Sequence, residues 1–200
     1  MIGGITMRQL KPFMVEFSGT PEAGKSTAIA LLVKMLEDKG YRTMILKESA
    51  EVLPNEFEKG TFEGNLWMHL ITQAGILKAE HADVDIVLID RGIVDSKFYA
   101  WKYFKEKKCS AEQFNEFQRT CLNRMTPDLF LGIFVSPETA IKRRRGEGRL
   151  VTRKYLEDYN RLFMEFWVTI PTKKKTIKSD ELSALELSNI IFDNILSEIS

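Results

Sequence analysis

Apolar positions along the 200-residue chain fall into two alternating kinds of block, short runs rich in β-branched and aromatic residues and longer stretches at helical spacing. This alternation predicts βαβ units around a parallel sheet. Strands are expected at residues 13–17, 42–46, 84–89, 129–135 and 174–177. The third and fourth are nearly unbroken apolar runs, as strands covered on both faces are, which places them centrally. Helices are expected at 25–39, closed by Gly40, and at 66–80, after Gly60 and Gly64 and with Gly75 inside it. Further helices are expected at 95–105 and 111–123, then a helical pair at 137–144 and 152–166 split by Gly146 and Gly148. The last, at 181–199, carries Leu185, Phe192, Ile195 and Ile199 along one stripe, so it is expected to pack on the sheet.

Composition narrows the class. A chain of 200 residues, 44% hydrophobic, suits one domain over 1–200. With 29 basic and 28 acidic residues the formal charge is +1, so no overall field favours nucleic acid or an anionic membrane, and any basic site must be local. Two cysteines, Cys109 and Cys121, make neither a disulfide framework nor a metal spacing. No apolar run has signal-peptide or membrane-span length. Reduced thiols in a cytoplasm are expected; a homodimer is compatible with these data.

The strongest chemical signal is Gly19-Thr20-Pro21-Glu22-Ala23-Gly24-Lys25-Ser26-Thr27, which fits GxxxxGK[ST] between an apolar strand and an amphipathic helix. Glycines let such a loop curl so that successive N–H groups and the helix N-terminus face an anion, the geometry that holds β- and γ-phosphates. Lys25 would neutralise phosphate charge and Ser26 would ligate Mg²⁺. The third strand ends in Ile89-Asp90-Arg91-Gly92. Ligands of open parallel sheets sit at the carboxyl ends of strands, so Asp90 is placed to hold Mg²⁺ or its water and Arg91 to hold a substrate phosphate or hydroxyl. Glu48, at the end of the second strand, is a candidate base for an acceptor hydroxyl, with Glu51 and Glu22 as rivals. Five of the eight residues from Lys142 to Arg149 are basic, and the intervening glycines suggest a lid, at about 142–150, that brings cations over a transferring phosphoryl group. A solvated charged face is the plainer alternative. Trp67, His69 and Gln73 are candidates for a base pocket, with core packing the alternative for Trp67, while His81 reads as surface.

Together, the 19–27 loop, the Asp90-Arg91 strand end and the arginine-rich segment resemble the P-loop nucleoside and nucleotide kinases over nearly the whole chain. The closest likeness is to thymidylate-kinase-like and deoxynucleoside-kinase-like members, and 90–96 is also similar to the kinase part of nicotinamide-nucleotide bifunctional enzymes. The resemblance implies a three-layer α/β/α fold with a five-stranded parallel sheet in the order 2-3-1-4-5. It also implies ATP and Mg²⁺ as cofactors and a small-molecule phosphate acceptor, a nucleoside or nucleotide. By it, Lys25 and Ser26 serve phosphate and Mg²⁺, Arg91 serves the substrate, and Arg143, Arg145 and Arg149 match lid arginines; Ser179-Asp180 falls where such kinases contact adenine. The chain departs from the pattern after its second strand, where Glu48 precedes Ser49 instead of proline. A nucleotide-regulated switch or ATPase, or transfer to nicotinamide riboside, an antibiotic or a nucleic-acid end, are the alternatives. The guanine-reading [NT]KxD, a DxxG switch and an LSGGQ-like signature are all missing.

Overall fold

A computed structural model describes residues 11–121, 126–144 and 152–199. Five strands, β1 (Phe13–Gly19), β2 (Thr43–Leu46), β3 (Ile86–Asp90), β4 (Leu129–Phe134) and β5 (Lys174–Lys178), form one sheet in the order β2-β3-β1-β4-β5. Every pairing is parallel. The apolar runs β3 and β4 are interior, as expected, but the middle position belongs to β1, which pairs with both.

The side-chain alternation of strands sorts the core into two layers. On one face, Val15, Phe17, Leu88, Leu131 and Ile133 meet helix α1 (Lys25–Asp38) through Ile29, Leu32 and Leu36, and helix α7 (Ala184–Ile199) through Leu187, Ile191 and Ile195. On the other, Met14, Val87 and Ile89 meet Ile76 and Ala79 of α2 (Phe62–Ala79) and Ile93 of α3 (Ile93–Lys105). Farther along that face, Phe130 and Phe134 pack with Phe98 of α3 and with Tyr159, Phe163 and Trp167 of α6 (Arg153–Trp167). Helix α4 (Ala111–Thr120) lies against α2 and α3, burying Phe117, and α5 (Pro137–Arg144) follows β4.

The starts of two helices depart from expectation for local reasons. Helix α2 begins at Phe62, four residues early, because the Thr61 hydroxyl accepts from Gly64 N at 3.1 Å, and a Cβ at Gly64 would meet the Glu58 carbonyl at 2.7 Å. Helix α7 begins at Ala184 because Ser183 and Glu186 form a reciprocal cap: Glu186 N donates to the Ser183 hydroxyl (3.2 Å) and Ser183 N to the Glu186 carboxylate (2.8 Å). Leu185 is therefore 58% exposed; the buried stripe runs through Leu187, Ile191 and the expected Ile195, with Phe192 and Ile199 packed partly buried against it. A 3₁₀ turn at Ser49–Val52 was not expected. No helix among the described residues is long and apolar enough to cross a membrane.

Two glycines carry opposite predictions. At Gly132 a Cβ would lie 2.6 Å from the Trp167 ring and 2.8 Å from that of Phe134, so Gly132→Ala should cost about 1–3 kcal/mol through overpacking. At Gly75, inside α2, a Cβ would only touch the Leu46 side chain at 3.5 Å, so Gly75→Ala should stabilise by about 0.5–1 kcal/mol. Urea denaturation of both variants checks the pair; equal signs would contradict the packing described.

Candidate functional site

The carboxyl ends of β1 and β3 converge with α1, α3 and α6 on one cluster. The loop between β1 and α1 turns through left-handed conformations at Gly19 (φ 119°), Glu22 (φ 62°) and Gly24 (φ 88°). Gly19 has no room for a side chain, since a Cβ there would be 2.0 Å from the Ile133 carbonyl oxygen of β4. The loop is tied down from three sides. Thr20 N donates to the Ile133 carbonyl at 3.0 Å, the Thr20 hydroxyl donates to Asn160 Oδ1 at 2.7 Å, and the Tyr159 hydroxyl donates to the Gly19 carbonyl at 3.0 Å. Ser179 closes the far side, donating to the Ala23 carbonyl at 2.9 Å. Pro21 is half-buried, whereas Glu22, Ser26 and Thr27 face outward.

Lys25 is 5% exposed and folds back so that Nζ donates to the Thr20 carbonyl at 3.0 Å. Burial, with the Arg91 cation next, brings it from the ordinary lysine range down to about 7. Ser26 Oγ donates to Asp90 Oδ2 at 2.6 Å. Among the described residues, Asp90 Oδ1 is the one buried side-chain oxygen or nitrogen without a hydrogen-bond partner. A buried carboxylate oxygen is not normally left so, and beside a serine hydroxyl it suits a hard cation. No group of three or more His, Cys, Asp or Glu side chains among the described residues is placed to hold a metal ion by itself, so an ion here would depend on further oxygens from a phosphate.

Arg91 takes the left-handed region (φ 58°), unusual for a side chain this size, and its N–H extends the sheet by donating to the Phe17 carbonyl at 2.9 Å. Its guanidinium donates to Asp95 Oδ1 at 3.1 Å, lies 3.3 Å from Glu48 Oε2 and reaches the Gly19 carbonyl at 3.5 Å. Asp95 also accepts from the Ser18 hydroxyl. Behind this turn sits Glu16, fully buried in β1, whose carboxylate accepts from Gly92 N (3.1 Å), Val94 N (3.1 Å) and Asp95 N (2.9 Å). Burial lifts its carboxyl to about 7 against the lowering effect of the three N–H donors. Nothing in our reading of the sequence picked out Glu16, although an acid inside the run Phe13-Met14-Val15-Glu16-Phe17 was the available signal.

Beyond Arg91 a cavity opens, lined by Glu48, Asn65, Thr72, Asp95, Tyr99 and Tyr103, among others. From α2 it takes Asn65, Met68 and Thr72, while Trp67, His69 and Gln73 do not line it. His69 lies behind the wall instead: its Nδ1 is 2.7 Å from Ser96 Oγ, whose own proton goes to the Ile93 carbonyl (2.9 Å), so Nδ1 is the donor. Burial, with Lys97 adding, lowers His69 to about 4. Trp67 is half-buried with its ring centroid 6.2 Å from that of Phe57, and His81 is exposed. Glu51 belongs to the 3₁₀ turn, its side chain outside the described ones.

Of the basic segment, Arg143 is the expected site arginine that is described. Its Nη2 donates to the carbonyls of Ser179 (2.5 Å), Leu182 (3.3 Å) and Asp180 (3.4 Å), joining α5 to the loop after β5. Arg145 and Arg149, and with them most of the lid segment expected at about 142–150, lie outside the described residues.

Opposite pH slopes should be separable. The Glu16 carboxyl, raised on folding, contributes stability present below pH 4.5 that is lost as pH rises through 7. His69, lowered on folding, contributes stability present above pH 6.5 that is lost as pH falls through 4. Each is on the order of 3 kcal/mol, so the two nearly offset one another. Urea titrations between pH 4 and 7.5 should show Glu16→Gln gaining relative stability as pH rises and His69→Gln losing it; parallel curves would refute the assignment.

No protein-family model matches the chain. In sequence it is similar to the thymidylate kinase of Legionella pneumophila (strain Paris), 19% identical over 206 residues that cover 96% of this chain and 97% of that one. It is also similar to the thymidylate kinase of Rickettsia canadensis (strain McKiel), 25% identical and covering 88% and 94%. In fold it is similar to deoxyadenosine kinase from M. mycoides solved with the products dCMP and a flexible dCDP, with a TM-score of 0.71 at 22% identity over 92% of this chain and 100% of that one. The same enzyme with dATP bound gives 0.70 at 21%, over 92% and 99%. Sequence relatives and structural neighbours thus converge from separate directions on one kind of enzyme: the chain resembles thymidylate kinases in sequence and has the fold of a deoxyadenosine kinase, which supports a P-loop phosphotransferase.

Proposed function

We propose that the chain transfers the γ-phosphoryl group of ATP, with Mg²⁺, to a nucleoside or nucleoside monophosphate in a cytoplasm. The observation that carries this reading is the meeting of Lys25, Ser26 and the unpartnered Asp90 Oδ1 beside a cavity walled by Glu48 and Arg91. The curled loop from Gly19 to Thr27 would cradle the β- and γ-phosphates, with Lys25 released from the Thr20 carbonyl to neutralise them. Ser26 and Asp90 would hold Mg²⁺, whose contribution when bound is to neutralise charge across the two phosphates. Arg91, fixed between Asp95 and Glu48, would stand at the junction of donor and acceptor. Arg143 would frame the adenine side with Ser179 and Asp180, and Arg145 and Arg149 would bring cations over the transferring group.

Incubation with ATP, Mg²⁺ and a panel of nucleosides, nucleoside monophosphates and nicotinamide riboside, with products identified by mass spectrometry, should yield a phosphorylated acceptor and ADP. ATP bound without transfer to any of them would move the chain to a switch or ATPase role. Removal of Mg²⁺ by a chelator should abolish turnover, and Lys25→Ala should lower kcat/KM by about 100-fold or more.

A proton balance gives a second check. With Lys25 near 7, the side chain is mostly neutral at pH 8, and phosphate beside it favours the cation. ATP binding at pH 8 should therefore take up roughly one proton per site, read by titration calorimetry in two buffers of different ionisation heat. Lys25→Ala should remove that uptake; an unchanged value would assign it elsewhere.

A further inference from the structure

We propose that the chain carries a second small-molecule site, on the other side of helix α3, that takes a planar aromatic carboxylate with a single negative charge. Such a site is independent of the phosphate chemistry proposed above. Helix α3 has two sides that face open space. Asp95, Ser96, Tyr99 and Tyr103 look into the cavity beyond Arg91. Ile93, Val94, Lys97 and Trp101 line a different cavity, of about 380 Å³, bounded also by Phe166 at the end of α6, by residues 169–172 before β5 and by Thr126 and Pro127 before β4. Its volume falls within the roughly 300–1,000 Å³ of small-molecule sites. It is larger than the cavity beyond Arg91, at about 220 Å³, and shares no described lining residue with it.

Charge sets the sign of the ligand. Among the described lining residues Lys97 is the one charged side chain, so no described carboxylate shares the cavity with it. Lys97 is half-buried, and its positive field reaches His69, where it helps hold the imidazole neutral. A cation partly withdrawn from water and facing no acid favours an anion. One lysine balances one negative charge. A phosphate monoester, at about −1.5 to −2, or a nucleotide would bring more charge than Lys97 neutralises, which leaves a carboxylate as the group that fits. Gln118, exposed at the rim, adds an amide donor for its second oxygen.

The walls set its shape. Trp101 and Phe166 stand with ring centroids 5.7 Å apart, and Val94, Pro127 and Ile170 complete an apolar lining suited to a flat ring body. These walls are held in place without a ligand. The chain leaving α6 is locked by Lys174, whose Nζ donates to the carbonyls of Trp167 (2.5 Å) and Ile170 (2.8 Å), and by the Thr169 hydroxyl, which donates to the Phe166 carbonyl at 2.7 Å. Pro127 and Pro171 fix backbone dihedrals on two sides of the cavity. On the third, Val94 N is bonded to the buried Glu16 carboxylate. A site ordered in advance loses little conformational freedom when it is filled, so its contacts convert more fully into affinity.

Equilibrium dialysis of the full chain against 2-naphthoate, its neutral analogue 2-naphthalenemethanol, and decanoate tests sign, shape and place together. The naphthoate should bind at one site per chain, about 10-fold or more tighter than the alcohol and than the flexible decanoate. Lys97→Met should weaken the naphthoate by about 10-fold or more and leave the alcohol unchanged. Thr172→Phe, which fills the cavity from its rim, should weaken both while circular dichroism reports an intact fold. Saturating ATP should leave naphthoate binding as it was; competition between the two would place the ring at the nucleotide loop and overturn the proposal. So would equal affinity for naphthoate and alcohol, or for naphthoate and decanoate, a naphthoate affinity unmoved in Lys97→Met, or no binding at millimolar ligand. The kinase reading stands on other residues and survives each of these outcomes.

Discussion

A carboxylate that never reaches solvent organises this molecule. Glu16 sits in the central strand, on the face that looks toward α3, and accepts three backbone N–H groups from the first residues of that helix. Burying a carboxyl is costly unless its oxygens are met, and here the donors are those a helix N-terminus leaves without partners. The exchange satisfies both sides and fixes the angle at which the chain leaves β3. Gly92 must pass so close to Glu16 that a Cβ would lie 2.7 Å from the carboxyl carbon, and Arg91 is turned into a left-handed conformation to bring it there. Such backbone strain, on the order of 1–3 kcal/mol, persists only where surrounding bonds over-determine it. The positions of Asp90 toward Ser26, of Arg91 under Gly19, and of Asp95 beside Ser18 all follow from that one buried acid.

The opposite half of the site is held by different means. The phosphate-type loop is secured through its own carbonyls and hydroxyl by the neighbours Tyr159 and Asn160 of α6 and by Ser179 after β5, all distant from it in sequence. The cavity beyond Arg91 shares Arg91, Gly92 and Asp95 with the first half and takes its other walls from α2, α3, α6 and the stretch after β2.

Strands and the 19–27 loop were legible because each rests on a local pattern: period-two or unbroken apolar runs, a glycine-spaced motif, a strand ending in Asp90-Arg91-Gly92; the strand order was implied only by the family resemblance. What stayed hidden required a partner from elsewhere in the fold. Helical spacing put His69 and Gln73 on one face of α2, but the face toward the cavity is one position away, at Asn65, Met68 and Thr72, and only packing against α3 decides between them. Tyr159 and Asn160 read as ordinary members of an amphipathic helix until α6 is laid across the loop. The Ser183–Glu186 cap was a readable signal that went unused, and it moved the start of α7 and exposed Leu185. Arg143 shows the reverse: a cluster of positive charge reads as mobile, yet its carbonyl partners after β5 hold it as a structural tie.

The contact between Gly19 and the Ile133 carbonyl carries a consequence for how the chain loses its shape. The loop rests directly on the backbone of β4, without intervening side chains, and is laced to α6 as well. A loop attached in this way has little freedom to fray by itself while the sheet persists, so its ordering is completed when the core assembles and not when a ligand arrives. Heat would then remove the anion-binding geometry and the central strands in a single cooperative event, and a tightly held nucleotide would raise the melting temperature of the whole sheet as much as that of its own cradle.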